Sequence, residues 1–196
     1  MVDVDGVIVR GRPADGRYWA ADLEADLGLS LDALRAGFFG PHWSDVLTGR
    51  AGLVERLAPV LAAIAPDVTC EALIDYWFAH DARLDMALLE ALGRCRAKGL
   101  RICLCTNQEP LRARYLLETL ELGRHVDEAH YSAAIGFAKP EAAFFAEVTR
   151  RSGLRPGNIL LIDDLAANVE AARSAGWRAM LWTASSSPDL LPGLLI

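Results

Sequence analysis

The sequence lacks an excess of positive charge, a long apolar run and an N-terminal targeting pattern, and each absence excludes a class of protein. Its 196 residues include 20 Lys and Arg against 26 Asp and Glu, which gives a formal net charge of −6. This balance argues against nucleic acid or an anionic membrane surface as the main partner. The most apolar stretch, LAPVLAAIAP, is too short to span a bilayer. The N-terminus has no basic region followed by an apolar one, so we expect no secretory signal.

Cysteine is scarce as well. The chain has four, Cys70, Cys95, Cys103 and Cys105, and their spacing does not supply the ligand pattern of a zinc site. Cys103 and Cys105 belong to the apolar run RICLCT, where alternate residues of a strand point to the same face. We expect reduced, mostly buried thiols in a cytoplasmic protein.

Apolar residues are plentiful, at 53% of the chain, and in the second half they form strand-like and helix-like segments in alternation. The predicted strands are Leu100–Cys105, a weaker one around Tyr131, Asn158–Ile162 and Arg178–Trp182. The predicted helices are Asp85–Lys98, Pro110–Leu122, Pro140–Ser152 and Ala166–Ala175. Apolar strands that alternate with helices indicate a parallel sheet covered on both faces. We therefore predict an α/β fold with a doubly wound, Rossmann-like core.

The first half differs, because residues 14–79 have helical periodicity and no convincing strand. This block interrupts the sheet after its opening strand. We therefore predict an inserted helical cap domain over residues 14–80 and a catalytic core formed by residues 1–13 and 81–196.

Polar side chains follow the predicted strands at the points where they end. These are Asp3 and Asp5, Thr106 and Asn107, Asp163 and Asp164, with Lys139 in a loop ahead of a helix. In an open parallel sheet, ligands bind at this edge. Carboxylates suit Mg²⁺, while lysine and hydroxyl groups suit a phosphate, so the set favours phosphoryl transfer.

Four segments that carry these residues, VDVDGV, LCTNQ, GFAKPE and LLIDDLAANVEAARSAGW, occur in this order. Together they resemble the four motifs of the haloacid dehalogenase superfamily of phosphohydrolases. The resemblance covers nearly all of the chain. It is strongest to the branch with a helical cap inserted after the first motif, which includes sugar-phosphate phosphatases.

The resemblance implies a role for each residue. Asp3 would be the nucleophile that forms an aspartyl-phosphate, and Asp5 the general acid and base. The phosphate-binding residues would be Thr106, Asn107 and Lys139. Mg²⁺ would be held by Asp3, the backbone carbonyl of Asp5, Asp164 and, directly or through water, Asp163. The expected substrate is a small phosphorylated metabolite, and the expected assembly a monomer or homodimer.

Four alternatives stay open beside this interpretation. A phosphomutase of the same superfamily has the same motifs. A dehalogenase is disfavoured, because that branch uses no metal and typically lacks an acid at the position of Asp5. A phosphoacceptor signalling domain is disfavoured by the late acid pair Asp163 and Asp164. A non-catalytic binding protein could keep the fold without turnover.

Two regions leave open questions. In and near the cap, a substrate pocket could include Arg10, Arg12, His42, Trp43, Asp45, His80 and Arg83, although surface or packing roles are favoured for each. At the N-terminus only Met1 and Val2 precede Asp3, whereas the family usually has several apolar residues there. We expect either an upstream start or a shortened central strand.

Overall fold

The fold was obtained as a computed structural model, which describes residues 1–191. Helices fill the first part of the chain. They are α1 Leu23–Leu27, α2 Leu31–Leu34, α3 Gly40–Leu47, α4 Leu53–Ile64 and α5 Cys70–His80, with a wide helical turn at Arg35–Phe39 between α2 and α3. The second part alternates as α6 Met86–Ala97, β1 Cys103–Thr106, α7 Pro110–Arg114, β2 Glu128–Tyr131, α8 Ser132–Ile135, α9 Ala142–Ser152, β3 Leu160–Asp163, α10 Ala166–Ser174 and β4 Arg178–Leu181. In the described residues, no helix is long and apolar enough to cross a membrane.

The sheet is parallel and its centre is the N-terminus. Strand β1 pairs with β2, and β3 pairs with β4, each in parallel register. Val2 joins the two pairs, since it bridges Leu104 of β1 and Ile162 of β3. The Val2 amide donates to the Cys103 carbonyl and the Asp3 amide to the Ile162 carbonyl, both at 2.9 Å. Short as it is, this segment places Asp3 in the middle of the sheet.

Two apolar clusters cover the two faces of this sheet. One joins Val2, Leu104 and Ile162 to the buried side of α6. The other joins Cys105 and Leu161 to aromatic residues of α9. A strand that is buried on both faces reads as a continuous apolar run, and all four residues of β1 are buried. The prediction of an α/β fold with a Rossmann-like core and a helical cap is confirmed.

The helices α1–α5 have an apolar cluster of their own, which includes Trp19, Phe38 and Phe78. The chain enters and leaves this helical region through two adjacent segments. Val9 and Leu84 form an antiparallel bridge, and the Arg10 amide donates to the Arg83 carbonyl at 2.9 Å. This pairing lies close to the predicted boundaries of the cap, which themselves stay a prediction.

Several predicted element ends are wrong, each for a local reason. The helix expected from Pro140 begins at Ala142, because Glu141 is extended and closes a turn with Ala138. The first predicted strand starts at Cys103, since the Leu100 amide still bonds the end of α6. The strand expected from Asn158 starts at Leu160, after a 3₁₀ turn over Pro156–Asn158.

Candidate active site

Lys139 lies at the centre of the polar cluster at the carboxyl edge of the sheet. Its ammonium donates to Asp163 Oδ2 at 2.6 Å and to the Cys105 carbonyl at 2.8 Å. Asp3 Oδ1 lies 3.0 Å from the same nitrogen. All three charged side chains are buried, so the ammonium compensates two carboxylates that would otherwise repel each other.

Asp163 stands behind this cluster rather than facing solvent. Its Oδ1 accepts hydrogen bonds from the Leu165 amide and from Asn168 Nδ2, each at 2.9 Å. Because Oδ2 takes the bond from Lys139, both carboxylate oxygens are already engaged. This satisfies a fully buried charge and fixes the turn that leads into α10.

The Asp164 carboxylate lies against Gly6 of the opening segment, where there is no room for a side chain at position 6. A Cβ placed on Gly6 would lie 2.2 Å from Asp164 Oδ2, and Gly6 has a φ of +77°. A side chain at position 6 would therefore be strained and would displace the carboxylate. The glycine of the VDVDGV motif brings Asp164 towards Asp3 and Asp5.

Asp5 has two partners that the sequence did not reveal. Gln108 Nε2 donates to Asp5 Oδ2 at 2.7 Å, and a guanidinium nitrogen of Arg112 lies 4.0 Å from Asp5 Oδ1. Arg112 is almost completely buried and also contacts Asp81. Gln108 is part of the LCTNQ motif, which was the available signal. Arg112 had none, since it reads as an ordinary helical arginine.

Thr106 and Asn107 occupy the end of β1 in different ways. Thr106 is buried and lines the cavity at the sheet edge. The Asn107 side chain bonds the backbone of Lys139 twice, with Nδ2 donating to the carbonyl at 2.9 Å and Oδ1 accepting from the amide at 2.8 Å. Asn107 therefore holds the lysine loop in place with both polar atoms of its side chain, and it also lines the cavity.

The carboxylates of the site share unusual electrostatics. Burial raises the pKa of Asp3 to about 6, with Lys139 opposing and Asp163 adding to the increase. Desolvation raises the pKa of Asp5 to about 6, helped by the charge of Asp81. The pKa of Asp164 is also raised to about 6, by desolvation and then by Asp3. Burial would lower the pKa of Lys139, but the neighbouring carboxylates outweigh it and raise the value.

The three acids Asp3, Asp163 and Asp164 offer oxygen ligands that all lie within 4.8 Å of one another. A set of hard carboxylate oxygens suits Mg²⁺, which takes few protein ligands and keeps positions for water and substrate. Burial raises the pKa of both Asp3 and Asp164, and the neighbouring acids raise it further. The residues therefore fit a divalent cation.

A cavity of about 240 Å³ lies over these groups. Its polar lining includes six of the seven residues that the sequence predicted, namely Asp3, Asp5, Thr106, Asn107, Lys139 and Asp164. Asp163 lies behind the cavity and is bonded to three residues that line it, Lys139, Leu165 and Asn168. The topology thus brings together residues from four separate segments, as their positions after the strands predicted.

A larger cleft of about 630 Å³ runs from Asp5 and Gly6 towards the helical region. Its aromatic lining consists of Tyr18, Trp19, Phe39, Trp43 and Trp77, and its arginines are Arg10, Arg17 and Arg35. Of the seven pocket candidates in and near the cap, Arg10 and Trp43 line this cleft. The others do not. Among them Arg12 pairs with Asp22, Asp45 with Arg50, and His80 stacks on Tyr76.

The family model of haloacid dehalogenase-like hydrolases matches residues 1–176. With that match over most of the chain, and with this fold and these motifs, the protein belongs to the haloacid dehalogenase-like hydrolase family. The family and the hydrolase class predicted from the sequence are confirmed.

The chain is also similar to individual phosphatases and to a solved structure of the family. The chain is 38% identical to phosphatase MT3486 of Mycobacterium tuberculosis over 195 residues, covering 92% of this chain and 85% of the relative. It is 25% identical to a phosphoglycolate phosphatase of Mesorhizobium japonicum, covering 90% and 78%. A haloacid dehalogenase family enzyme of Bacteroides thetaiotaomicron, solved with magnesium and inorganic phosphate, shares the fold with a TM-score of 0.78 at 17% identity, covering 95% and 94%.

Proposed function

We propose that this protein is a Mg²⁺-dependent phosphatase that hydrolyses a small phosphorylated metabolite through an aspartyl-phosphate. The observation that carries the proposal is the cavity over Asp3, where carboxylates, a hydroxyl and a buried ammonium from four segments meet. The similarity to phosphatase MT3486 supports it.

Asp3 is the proposed nucleophile. Its Oδ1 is occupied by the Val4 amide at 2.8 Å and by Lys139 at 3.0 Å, so Oδ2 is the oxygen left to attack phosphorus. The attack breaks the bond between phosphorus and the leaving oxygen and forms an acyl phosphate on Asp3. These two contacts on Oδ1 keep the carboxylate in one orientation. A nucleophile that is already oriented has a lower barrier to attack.

Asp5 is the proposed general acid and base. A pKa near 6 leaves part of its population protonated close to neutral pH, which suits donation of a proton to the leaving oxygen. The resulting carboxylate then removes a proton from the water that hydrolyses the acyl phosphate. Gln108 orients this carboxyl group, and Arg112 limits the rise of its pKa.

Asp3, Asp164 and the backbone carbonyl of Asp5 are the proposed Mg²⁺ ligands, with Asp163 reaching the ion through water because its oxygens are engaged. When bound, the ion would neutralise the negative charge shared by phosphate and carboxylates. Lys139 and the Thr106 hydroxyl contribute positive charge and a hydrogen-bond donor at the same edge. Asn107 acts through the Lys139 loop that it holds.

The leaving group is proposed to enter the cleft between core and cap, where the cap spans residues 14–80. The cleft has flat aromatic surfaces and opens directly onto Asp5, and each of its three arginines is already paired with an aspartate. This lining suits a leaving group with an apolar or planar part. A sugar phosphate or similar metabolite is compatible with the volume.

A hydrolysis screen tests the proposal. Purified protein is incubated with sugar phosphates, nucleotides and phosphorylated organic acids, with Mg²⁺ or with EDTA, and inorganic phosphate is measured. We expect release that needs Mg²⁺ and is abolished in Asp3→Asn, while Asp67→Asn, an exposed carboxylate of the helical region, retains full activity.

The alternatives give different products. Transfer of the phosphoryl group to a second position of the substrate, without phosphate release, would indicate a mutase. Chloride release from a 2-chloro acid, unaffected by EDTA, would indicate a dehalogenase. Absence of turnover with every substrate, from a protein that melts cooperatively, would overturn the catalytic proposal.

A further inference from the structure

A second cluster of potential ligands lies at the other end of the sheet, where β1 and β2 begin. Cys103 pairs with Glu128 in the parallel register, and His130 follows Glu128 by two residues. Because residues two apart in a strand share a face, this register places the three side chains on one side of the sheet. A thiol, a carboxylate and an imidazole from two strands meet there.

The ligand atoms of these three residues all lie within 4.8 Å of one another. Cys103 is 1% exposed and His130 is 5% exposed, whereas Glu128 reaches the surface. In the part of the chain that the structure describes, His130 Nε2 is buried and makes no hydrogen bond. Glu128 Oε2 lies 3.4 Å from this nitrogen. A buried ring nitrogen without a hydrogen bond is costly, and a ligand would remove that cost.

We propose that Cys103, Glu128 and His130 bind a Zn²⁺ ion. Sulfur, nitrogen and oxygen donors in one compact set are typical of zinc, and Mg²⁺ prefers oxygen alone. Three protein ligands leave the fourth tetrahedral position to water. The sequence concealed this site, because only one of its ligands is a cysteine and the others lie 25 or more residues away.

Charges of both signs surround the cluster. Burial lowers the pKa of His130, Glu128 opposes this, and the cations Arg101, Arg151 and the N-terminal ammonium lower it further, so the ring is neutral and can offer a lone pair. Burial raises the pKa of Cys103, so the ion must displace the thiol proton, which leaves to solvent as the sulfur–zinc bond forms. Arg101 contacts Glu128 Oε1, which leaves Oε2 for the ion.

This site is independent of the Asp3 cavity. Cys103 opens β1 and Thr106 closes it, so about 10 Å of strand separates the two ends at ~3.3 Å per residue. An ion at Cys103 would join the starts of β1 and β2 without touching the catalytic groups. Its expected effect is therefore on stability, with hydrolysis unchanged.

Cobalt titration of the metal-free protein tests the assignment. Excess Mg²⁺ is kept present to occupy the carboxylate site, and the thiolate-to-cobalt charge-transfer absorption is followed. We expect one equivalent of Co²⁺ to produce this band and Zn²⁺ to abolish it. Competition with a chromogenic chelator then gives the Zn²⁺ affinity, which should fall by ~10-fold or more when a ligand is removed, since even second-shell losses cost 10–100-fold.

The variants are Cys103→Ser, Cys103→Ala and His130→Gln, with Cys95→Ser as the matched control at another buried thiol. The ligand variants should lose the band and the Zn²⁺ affinity, and the control should keep both. Thermal melts without metal confirm that each variant is folded, and two Cys103 variants guard against the failure of one. Absence of the band in the wild type, its persistence without Cys103 or its loss in Cys95→Ser would overturn the proposal.

Discussion

The response of stability to pH and Mg²⁺ follows from the acids at the sheet edge. In the metal-free fold Asp3 has a pKa of about 6, raised from 3.8 mainly by burial. Since the unfolded chain ionises near 3.8, this group favours the fold below about pH 4, and stability falls as the pH rises through 6. The difference corresponds to about 3 kcal/mol for Asp3. Asp164 acts in the same direction.

Mg²⁺ should reverse this loss, because at the proposed site it would bind the ionised carboxylates of the folded state. At about 100 times its Kd, a ligand adds about 2.7 kcal/mol. For a domain of this size each kcal/mol raises the Tm by about 2–4 °C. We therefore expect Mg²⁺ to raise the Tm by about 5–10 °C at pH 8. At pH 5 the ion must displace protons from Asp3 and Asp164, so the increase should be much smaller.

Thermal melts at pH 5 and pH 8, with MgCl₂ or with KCl at matched ionic strength, measure both effects. Asp164→Asn separates repulsion from binding. Without Mg²⁺ it should melt higher than the wild type at pH 8, because one of the crowded charges is gone, yet Mg²⁺ should barely raise its Tm. Asp67→Asn should behave as the wild type. An equal Mg²⁺ effect at both pH values, or an undiminished one in Asp164→Asn, would refute the reasoning.

Three further predictions concern single residues. Asp5→Asn should lower kcat by ~10²–10⁴-fold, and least for p-nitrophenyl phosphate, whose leaving group needs little protonation; kcat across leaving groups checks this. Gly6→Ala should lower both Tm and Mg²⁺ affinity, because its Cβ would meet Asp164 Oδ2 at 2.2 Å, while Gly28→Ala, with φ +67° but open space around it, should keep the affinity. Trp43→Ala should raise KM for the best substrate of the hydrolysis screen and leave kcat for a small generic phosphate ester unchanged, as steady-state kinetics would show.

The site residues that could be predicted from sequence are those that lie at the carboxyl ends of the strands. Asp3 and Asp164 each lie within a recognisable motif. Parallel strands bring their carboxyl ends to one edge of the sheet, irrespective of the conformation of the loops. Lys139 was predictable from its motif, although the helix beyond it begins later than expected. Local pattern and topology were sufficient for these positions.

The contacts of Asp5 could not be predicted, although Gln108 lies in a motif, because they depend on packing between distant segments. Gln108 is 103 residues away from Asp5, and Arg112 packs against the ring of Phe78, 34 residues earlier in the chain. No periodicity identifies such contacts. The same limit applies to Arg12, which was a pocket candidate by type but is held by Asp22.

These unpredicted contacts connect Asp5 to the cap from two sides. Arg112 donates to the Phe78 carbonyl of α5 at 3.2 Å and also contacts Asp81. Its charge counters the desolvation that raises the pKa of Asp5.

On the other side, the backbone N–H of Gln108 donates to Ser132 Oγ at 2.9 Å. The Ser132 hydroxyl in turn donates to the Leu47 carbonyl of α3 at 2.6 Å. Gln108 and Arg112, which contact Asp5 and limit the rise of its pKa, are therefore both bonded, directly or through Ser132, to the helical region. A cap in this position supplies the proposed general acid with its orientation and its charge environment, whereas Asp3 is held by the sheet, the Val4 amide and Lys139, which all belong to the core. Proton transfer should thus depend on the position of the cap, and nucleophilic attack on the core.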